Sequence, residues 1–196
     1  MTPILIVMVK EPRLGRVKTR LGQDLGLVQA TWWYRHQVAR TLRTLQDPRW
    51  RIVLAVSPDR VGLLSPIWPG HLPRIAQGNG NLGARMSRCL ASVGGGPCCL
   101  IGSDIPQIEK HDIAASFAGL GSYSAMIGPA TDGGCWLIGL RHPKRQPWGF
   151  LRNVRWSTEH ALEDTLASAP SLTWGRSARL SDVDTGADLE RLKHRR

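Results

Sequence analysis

A four-residue apolar run, Cys98-Cys99-Leu100-Ile101, is closed on one side by Gly94-Gly95-Gly96-Pro97 and on the other by Gly102-Ser103-Asp104-Ile105-Pro106. It is too short for a helix of ordinary length, and it lacks the apolar–polar alternation of a strand with one wet face. Such a run reads as a strand covered on both faces, which places the chain among α/β proteins. Open α/β sheets bind their ligands beyond the C-terminal ends of their strands, and there stands Asp104 on a turn shaped by glycine and proline. Two readings of this carboxylate stay open: a cap for a helix starting near Ile108, or a metal ligand.

The 196 residues suit one domain spanning 1–196, with 42% hydrophobic content sufficient for a sizeable core. No apolar run approaches a membrane span. Residues 4–9 are apolar but have no basic segment before them and no small-residue cleavage site after them, so they read as a first strand and not a signal peptide. Cys89, Cys98, Cys99 and Cys135 show no C-x-x-C spacing, which points to buried free thiols in a reducing cytoplasm.

The net charge of +11 raises three partner classes: nucleic acid, a membrane surface or a phosphorylated small molecule. The cations are scattered singly among apolar residues. No basic block with interleaved stacking aromatics stands out, and Arg141-His142-Pro143-Lys144-Arg145 reads as a loop. Nucleic acid and membrane are therefore disfavoured, and the excess of arginine over lysine fits recognition of phosphate or carboxylate.

The first strand runs into a loop at 10–22 holding five cations, Lys10, Arg13, Arg16, Lys18 and Arg20, against one acid, Glu11. A phosphate group wants this pattern: a close backbone approach at Gly15 and charge neutralisation by Lys18 and Arg20. The loop is neither G-x-x-x-x-G-K-[ST] nor G-x-G-x-x-G. A helix follows over 27–45, with adjacent Trp32 and Trp33 expected in the core, then strands at 51–57 and 74–77 separated by an irregular segment at 66–73. Gly78-Asn79-Gly80-Asn81-Leu82-Gly83-Ala84-Arg85-Met86 is a glycine-rich turn into a helix. Gln77 and its glycines, Gly83 included, are candidates for a wall around a base or sugar, and Arg85 for a phosphate contact.

Beyond the helix at 108–120 and the strand at 124–130, Asp132-Gly133-Gly134 offers a second carboxylate, although D-G pairs also serve as plain turns. Ser157 or Thr158 is expected to cap a helix over 159–167. In Asp182-Val183-Asp184-Thr185-Gly186-Ala187-Asp188, Thr185 with Asp188 resembles a helix cap. Asp182 and Asp184 read either as structural acids or as oxygen ligands for Mg²⁺.

Six motifs in order resemble the DUF2064 family, a bacterial family of candidate glycosyltransferases, some members of which are named for arsenosugar biosynthesis. They are Lys10-Glu11-Pro12-x-x-Gly15-x-x-Lys18-Thr19-Arg20-Leu21, Leu82-Gly83-x-Arg85-Met86, Gly102-Ser103-Asp104-Ile105-Pro106, Gly128-Pro129-Ala130-x-Asp132-Gly133-Gly134, Trp156-Ser157-Thr158 and Asp182-Val183-Asp184-Thr185. The family stands with the nucleotide-diphospho-sugar transferases, and the first loop and Ser103-Asp104 turn are similar to guanylyltransferases of cofactor biosynthesis. The resemblance implies a three-layer α/β/α fold of the glycosyltransferase-A type with a mixed, mostly parallel sheet. It implies a metal, Mg²⁺ or Mn²⁺, on Asp104 with Asp132 and Asp184 as further candidates, and catalytic roles for Asp104, Asp132 and Lys18. It also implies phosphate-facing roles for Lys18 and Arg20 with Gly15 as the close-approach glycine, and Lys10, Gln77, Gly83, Arg85 and Ser103 complete the candidate donor contacts. Three positions depart from the family pattern: Asn81 where an acid is common, Ala84 where an acid or amide is common, and Cys135 where an aromatic is common.

The expected partners are a nucleotide-activated donor and a small-molecule acceptor. Transfer of a glycosyl group from a nucleotide sugar is the first hypothesis. Nucleotidyl transfer from a nucleoside triphosphate with release of pyrophosphate is the second, and nucleotide or RNA binding without turnover is the third. In both transfers negative charge builds on phosphate oxygens, where a divalent cation and the Lys18/Arg20 pair are useful.

Overall fold

In the first strand, β1 (Ile4–Lys10), Leu5, Val7 and Val9 pack in one hydrophobic cluster and Ile6 in another. Alternate side chains leave opposite faces of a strand, so β1 needs cover on both sides. Each fully buried side chain of this size contributes about 1.5–3 kcal/mol relative to exposure. On one face the cluster includes Tyr34, Val38 and Leu42 of α2 (Leu27–Thr44) and Ile113 of α5 (Lys110–Gly119). On the other it includes Met86, Cys89 and Leu90 of α4 (Leu82–Ser92). The result is the three-layer α/β/α arrangement.

The computed structural model describes residues 1–193, so the last three residues of the expected 1–196 span lie outside the described residues. The remaining strands are β2 (Arg51–Ser57), β3 (Arg74–Ala76), β4 (Cys98–Ile101), β5 (Ala125–Pro129), β6 (Cys135–Leu140) and β7 (Trp174–Arg176). Their order is β3-β2-β1-β4-β6-β5-β7, and β6 runs antiparallel to both its neighbours while the other pairings are parallel. The sheet is thus mixed and mostly parallel, as the resemblance implies. β4 is buried at all four positions.

The chain moves from β1 outward through β2 and β3, then returns to the opposite side of β1 for β4. This reversal opens a crevice at the C-terminal ends of β1 and β4. Val7 is paired level with Ile101, so the segments following Lys10 and Ile101 leave the sheet side by side.

Several elements differ from the sequence expectations. The basic loop ends in a short helix, α1 (Thr19–Leu25), and a second short helix, α3 (Asp59–Leu64), precedes the proline-rich segment. The edge strand β7 lies in a stretch to which the sequence assigned no element. Trp33 packs against the core, but Trp32 is 63% exposed and stacks on His36 with ring centroids 3.9 Å apart. Helix α6 (Ala161–Ala167) begins after His160, and neither Ser157 nor Thr158 caps it: Thr158 Oγ1 donates to Arg155 O. Ser157 instead sits in the turn with a left-handed φ of 63°. Among the described residues, no helix is long and apolar enough to cross a membrane.

Candidate functional site

The turn after β4 decides between the two readings of Asp104. Helix α5 starts at Lys110 and is capped by Glu109, whose N–H donates to Asp112 Oδ2 in a reciprocal capping box. Asp104 takes no part in that cap. Its Oδ2 accepts a 2.5 Å hydrogen bond from Lys18 Nζ.

The chain's last extended segment reaches the same place by a backbone relay. Leu180 N donates to Pro129 O at the end of β5, Leu180 pairs with Ala130, and Val183 N donates to Asp104 O at 3.2 Å. Val183 is buried against Leu21 and Ala30, so Asp182 and Asp184, one residue to either side, face the other way together. Helix α7 (Gly186–Lys193) follows, and the expected Thr185–Asp188 cap is present: Asp188 Oδ2 accepts from Asp184 N, Thr185 N and Thr185 Oγ1 at 2.8–3.0 Å. Asp188 thereby fixes the backbone that presents Asp184. Gly186 N donates to Asp24 Oδ2 at 2.7 Å, which ties this turn to α1.

Asp104, Asp182 and Asp184 each bring a carboxylate oxygen within 4.8 Å of the others. Burial raises the Asp182 carboxyl to about 6, helped by the negative charges of Asp132, Asp104 and Asp184. Among the described residues, the buried cation beside this group is Lys18, 7% exposed, which donates to Asp104 at 2.5 Å and to Asp184 Oδ1 at 2.6 Å. Burial alone would lower the Lys18 ammonium, but the two carboxylates outweigh it and push it up to about 12. Arg20, largely exposed, stands 3.6 Å from Asp184. The set is purely oxygen, without thiol or imidazole, and so fits a hard divalent cation such as Mg²⁺ or Mn²⁺.

Lys18 holds its place with a left-handed backbone, φ 47° and ψ 49°, at the start of α1. Non-glycine residues rarely adopt this conformation, and they keep it only where surrounding contacts demand it.

A cleft of about 510 Å³ surrounds these groups, lined by Lys10, Lys18, Arg20, Gln77, Arg85, Ser103, Asp104 and Asp184 among the residues expected from sequence. On its floor Tyr34 Oη accepts from Lys10 N at 2.9 Å and lies 3.2 Å from Ser103 Oγ. Burial raises the Tyr34 phenol, keeping it neutral as a link between α2 and the two strand ends. Sequence reasoning passed over Tyr34, because a tyrosine within a helical apolar stripe carries no signal of its own. Arg16, Met86, Cys135 and Trp136 also line the cleft. Burial, then the Asp132 carboxylate, push the Cys135 thiol up to about 12, so it faces the cleft as an unionised group.

Not every expected residue offers a free group. Gln77 Nε2 is committed to Val9 O and Ala55 O, holding the ends of β1 and β2. Arg85 Nε donates to Gly80 O within its own turn. Arg88, which the sequence did not single out, clamps the same turn through Gln77 O and Asn79 O. Asn81 caps α4 by accepting from Ala84 N at 2.9 Å, a role that an acid at this position would also fill.

Three expected residues lie outside the cleft lining. Gly15 shapes the loop with φ +69°. At Gly83, a Cβ would stand 2.2 Å from Leu151 O, so this glycine is a helix-packing contact and not part of a ligand wall. Asp132 is exposed on the β5–β6 turn, where Oδ1 accepts from Gly134 N at 2.9 Å, and it is not in the three-acid group. Asp182 stands there in its stead, because i and i+2 of an extended segment share a face.

A family model described as "Uncharacterized protein conserved in bacteria (DUF2064)" matches residues 41–158. No curated protein matches the sequence. The chain is similar to the crystal structure of a candidate nucleotide-diphospho-sugar transferase from Desulfovibrio desulfuricans, with 29% identity, coverage of 97% of this chain and 86% of that one, and a TM-score of 0.84. A Mycobacterium tuberculosis protein crystallised in complex with manganese aligns at 15% identity over 98% of both chains with a TM-score of 0.59. The 4-diphosphocytidyl-2C-methyl-D-erythritol synthase of Anaerococcus prevotii aligns at 8% identity over 99% of this chain and 96% of its own, with a TM-score of 0.63. These last two likenesses are of fold alone.

Proposed function

The chain belongs to the DUF2064 family, and from that premise we propose a metal-dependent transferase that uses a nucleotide-activated donor, with a nucleotide sugar as donor and a small molecule as acceptor. The observation that carries this reading is the meeting of Lys18, Arg20, Asp104 and Asp184 in one cleft at the switch point of the sheet. The likeness to the Desulfovibrio protein supports a sugar donor.

In this reading Asp104, Asp182 and Asp184 hold Mg²⁺ or Mn²⁺, which when bound neutralises charge on the donor's phosphates. Lys18, Arg16 and Arg20 reach the phosphates from the loop that Gly15 bends. Tyr34 and Ser103 fix the strand ends beneath them. Gln77 and Arg85 hold the donor-side wall, and Asp132, exposed on the β5–β6 turn outside the cleft lining, is assigned to the substrate. A single chain segment over 1–196 supplies all of these groups, and we read it as one domain.

Nucleotidyl transfer is the second reading, because the same cations serve a nucleoside triphosphate and the fold is shared with the Anaerococcus synthase. The deciding experiment incubates the protein with Mn²⁺ and a panel of nucleotide sugars and nucleoside triphosphates. Release of nucleoside diphosphate supports glycosyl transfer, and release of pyrophosphate supports nucleotidyl transfer. Asp104→Ala is expected to lower either rate by about a hundredfold or more. Binding without turnover of any donor would sink both readings and leave a nucleotide-binding protein.

A further inference from the structure

We infer that Lys18 is a tethered occupant of the metal's charge position, so that the acids become available to a divalent cation only when the donor's phosphates draw Lys18 away. The inference rests on the proposed transferase reading and deepens it: metal and nucleotide are required to bind together.

Of the three carboxylates whose oxygens lie within 4.8 Å of each other, two, Asp104 and Asp184, accept hydrogen bonds from the same ammonium at 2.5 and 2.6 Å. An ammonium donating to one oxygen of Asp104 and one of Asp184 puts a positive charge where a divalent cation held by the same carboxylates would stand, and the two compete because like charges this close repel. Lys18 is covalently tethered and 7% exposed, so it competes without dilution and with little help to its rival from solvent screening.

Lys18 keeps a left-handed φ of 47° at the end of a loop whose other left-handed residue is Gly15, φ +69°. A lysine keeps such a conformation only under restraint, and here the pair of ion pairs acts alongside the hydrogen bond from Gly22 N to Lys18 O and the burial of Val17 and Leu21. Once the ammonium has another partner, the Lys18 side chain is free to swing while its backbone stays at the start of α1. Arg16 and Arg20 line the same cleft, so a phosphate chain entering it meets three cations and offers Lys18 that other partner.

The coupling is reciprocal, since whatever factor the nucleotide adds to metal affinity the metal must add to nucleotide affinity. Neither ligand alone completes the site. A free donor is then not exposed to a loaded metal, and the metal is not held without a donor to act on.

The test is a binding measurement and needs no turnover. Mn²⁺ affinity is read by paramagnetic resonance or calorimetry on the whole chain, with and without UDP or GDP, for wild type, Lys18→Met and Lys18→Arg. For wild type we expect weak Mn²⁺ binding alone and a gain of about tenfold or more with the nucleotide. Lys18→Met is expected to bind Mn²⁺ alone about tenfold more tightly than wild type and to lose most of that gain, whereas Lys18→Arg keeps the competition. If Lys18→Met does not fold, Lys18→Gln, which removes the charge and keeps a polar side chain, takes its place with the same expected outcome. Equal Mn²⁺ affinity in wild type with and without nucleotide, or an unchanged or weaker Mn²⁺ affinity in Lys18→Met, overturns the inference and leaves the transferase reading standing. No binding of Mn²⁺ or nucleotide by any form overturns both.

Discussion

Gly133 is constrained twice over. Its φ is +87°, and a Cβ would lie 2.4 Å from Glu159 O and 2.5 Å from Glu159 Cα, both backbone atoms that cannot yield as a flexible side chain does. Leu162 N donates to Gly133 O at 2.9 Å, so the turn is pinned against the start of α6. Gly133→Ala is therefore predicted to cost about 1–3 kcal/mol, read as a lowered midpoint in urea denaturation. A midpoint equal to wild type would mean that the turn moves freely from α6. The sequence presented Asp132-Gly133-Gly134 as either a turn or a ligand-bearing loop. It could not choose, because the clash that makes the second residue glycine comes from a segment 26 positions away. Asp182 was harder to read for a similar reason. Its place beside Asp104 depends on the hydrogen bond from Val183 N to Asp104 O, a contact across 79 positions. Charge type and turn chemistry are local and legible; convergence is not.

Among the elements, α6 and α7 show how short helices are held where propensity does not hold them. At the start of α7 one carboxylate oxygen of Asp188 accepts three hydrogen bonds, from Asp184 N, Thr185 N and Thr185 Oγ1. Removing it in Asp188→Ala is expected to cost about 1–2 kcal/mol of stability. If Asp184 is a metal ligand, the same change also weakens Mn²⁺ binding, because the backbone carrying Asp184 is released. Loss of stability with unaltered Mn²⁺ affinity would assign Asp188 to the fold alone. For α6 the corresponding anchor is the fork of Arg155 on Asp164, with Nε–Oδ2 at 2.8 Å, Nη2–Oδ1 at 2.9 Å and Arg155 N–Oδ2 at 3.0 Å. The Arg155 side-chain hydrogen bonds, with the backbone one, hold the Asp164 carboxyl well below its ordinary 3.8. A carboxyl whose folded value is depressed lends stability that is fully present above its unfolded value and is lost as the pH falls toward the folded one. The melting-temperature gap between wild type and Asp164→Asn should thus be present at pH 7 and close progressively below about pH 4. A gap independent of pH would show that the asparagine loses shape and not charge. The long α2 was legible from periodicity and the buried β1, β2 and β4 from their unbroken apolar runs, whereas α1, α3 and β7 span seven, six and three residues. Segments that short owe their conformation to neighbours and leave no periodic trace.

At the scale of the whole molecule, the groups that line the cleft come from residues 8–20, 34, 57, 77–86, 100–104, 135–138 and 184, that is, from both ends of the chain and its middle. A ligand gripping them bridges the sheet from β1 to β6 and draws in the last described helix through Asp184. Binding should then stabilise the fold as a unit and not one part of it. At about a hundred times the dissociation constant, a ligand specific for the folded state adds about 2.7 kcal/mol. For a chain of this length that corresponds to a rise in melting temperature of about 5–10 °C. The net charge of +11 and the exposed Arg20 make part of this gain electrostatic, so it should shrink as salt is raised toward 1 M, where the Debye length is about 3 Å. Calorimetry with a nucleotide and Mn²⁺ together checks all of this in one series. The expected record is a single transition that moves upward as a whole, and moves less at high salt. Two transitions, of which only one responds to the ligand, would mean that the chain is not one domain. Its cleft residues would then be held by a part of the fold that stands without the rest.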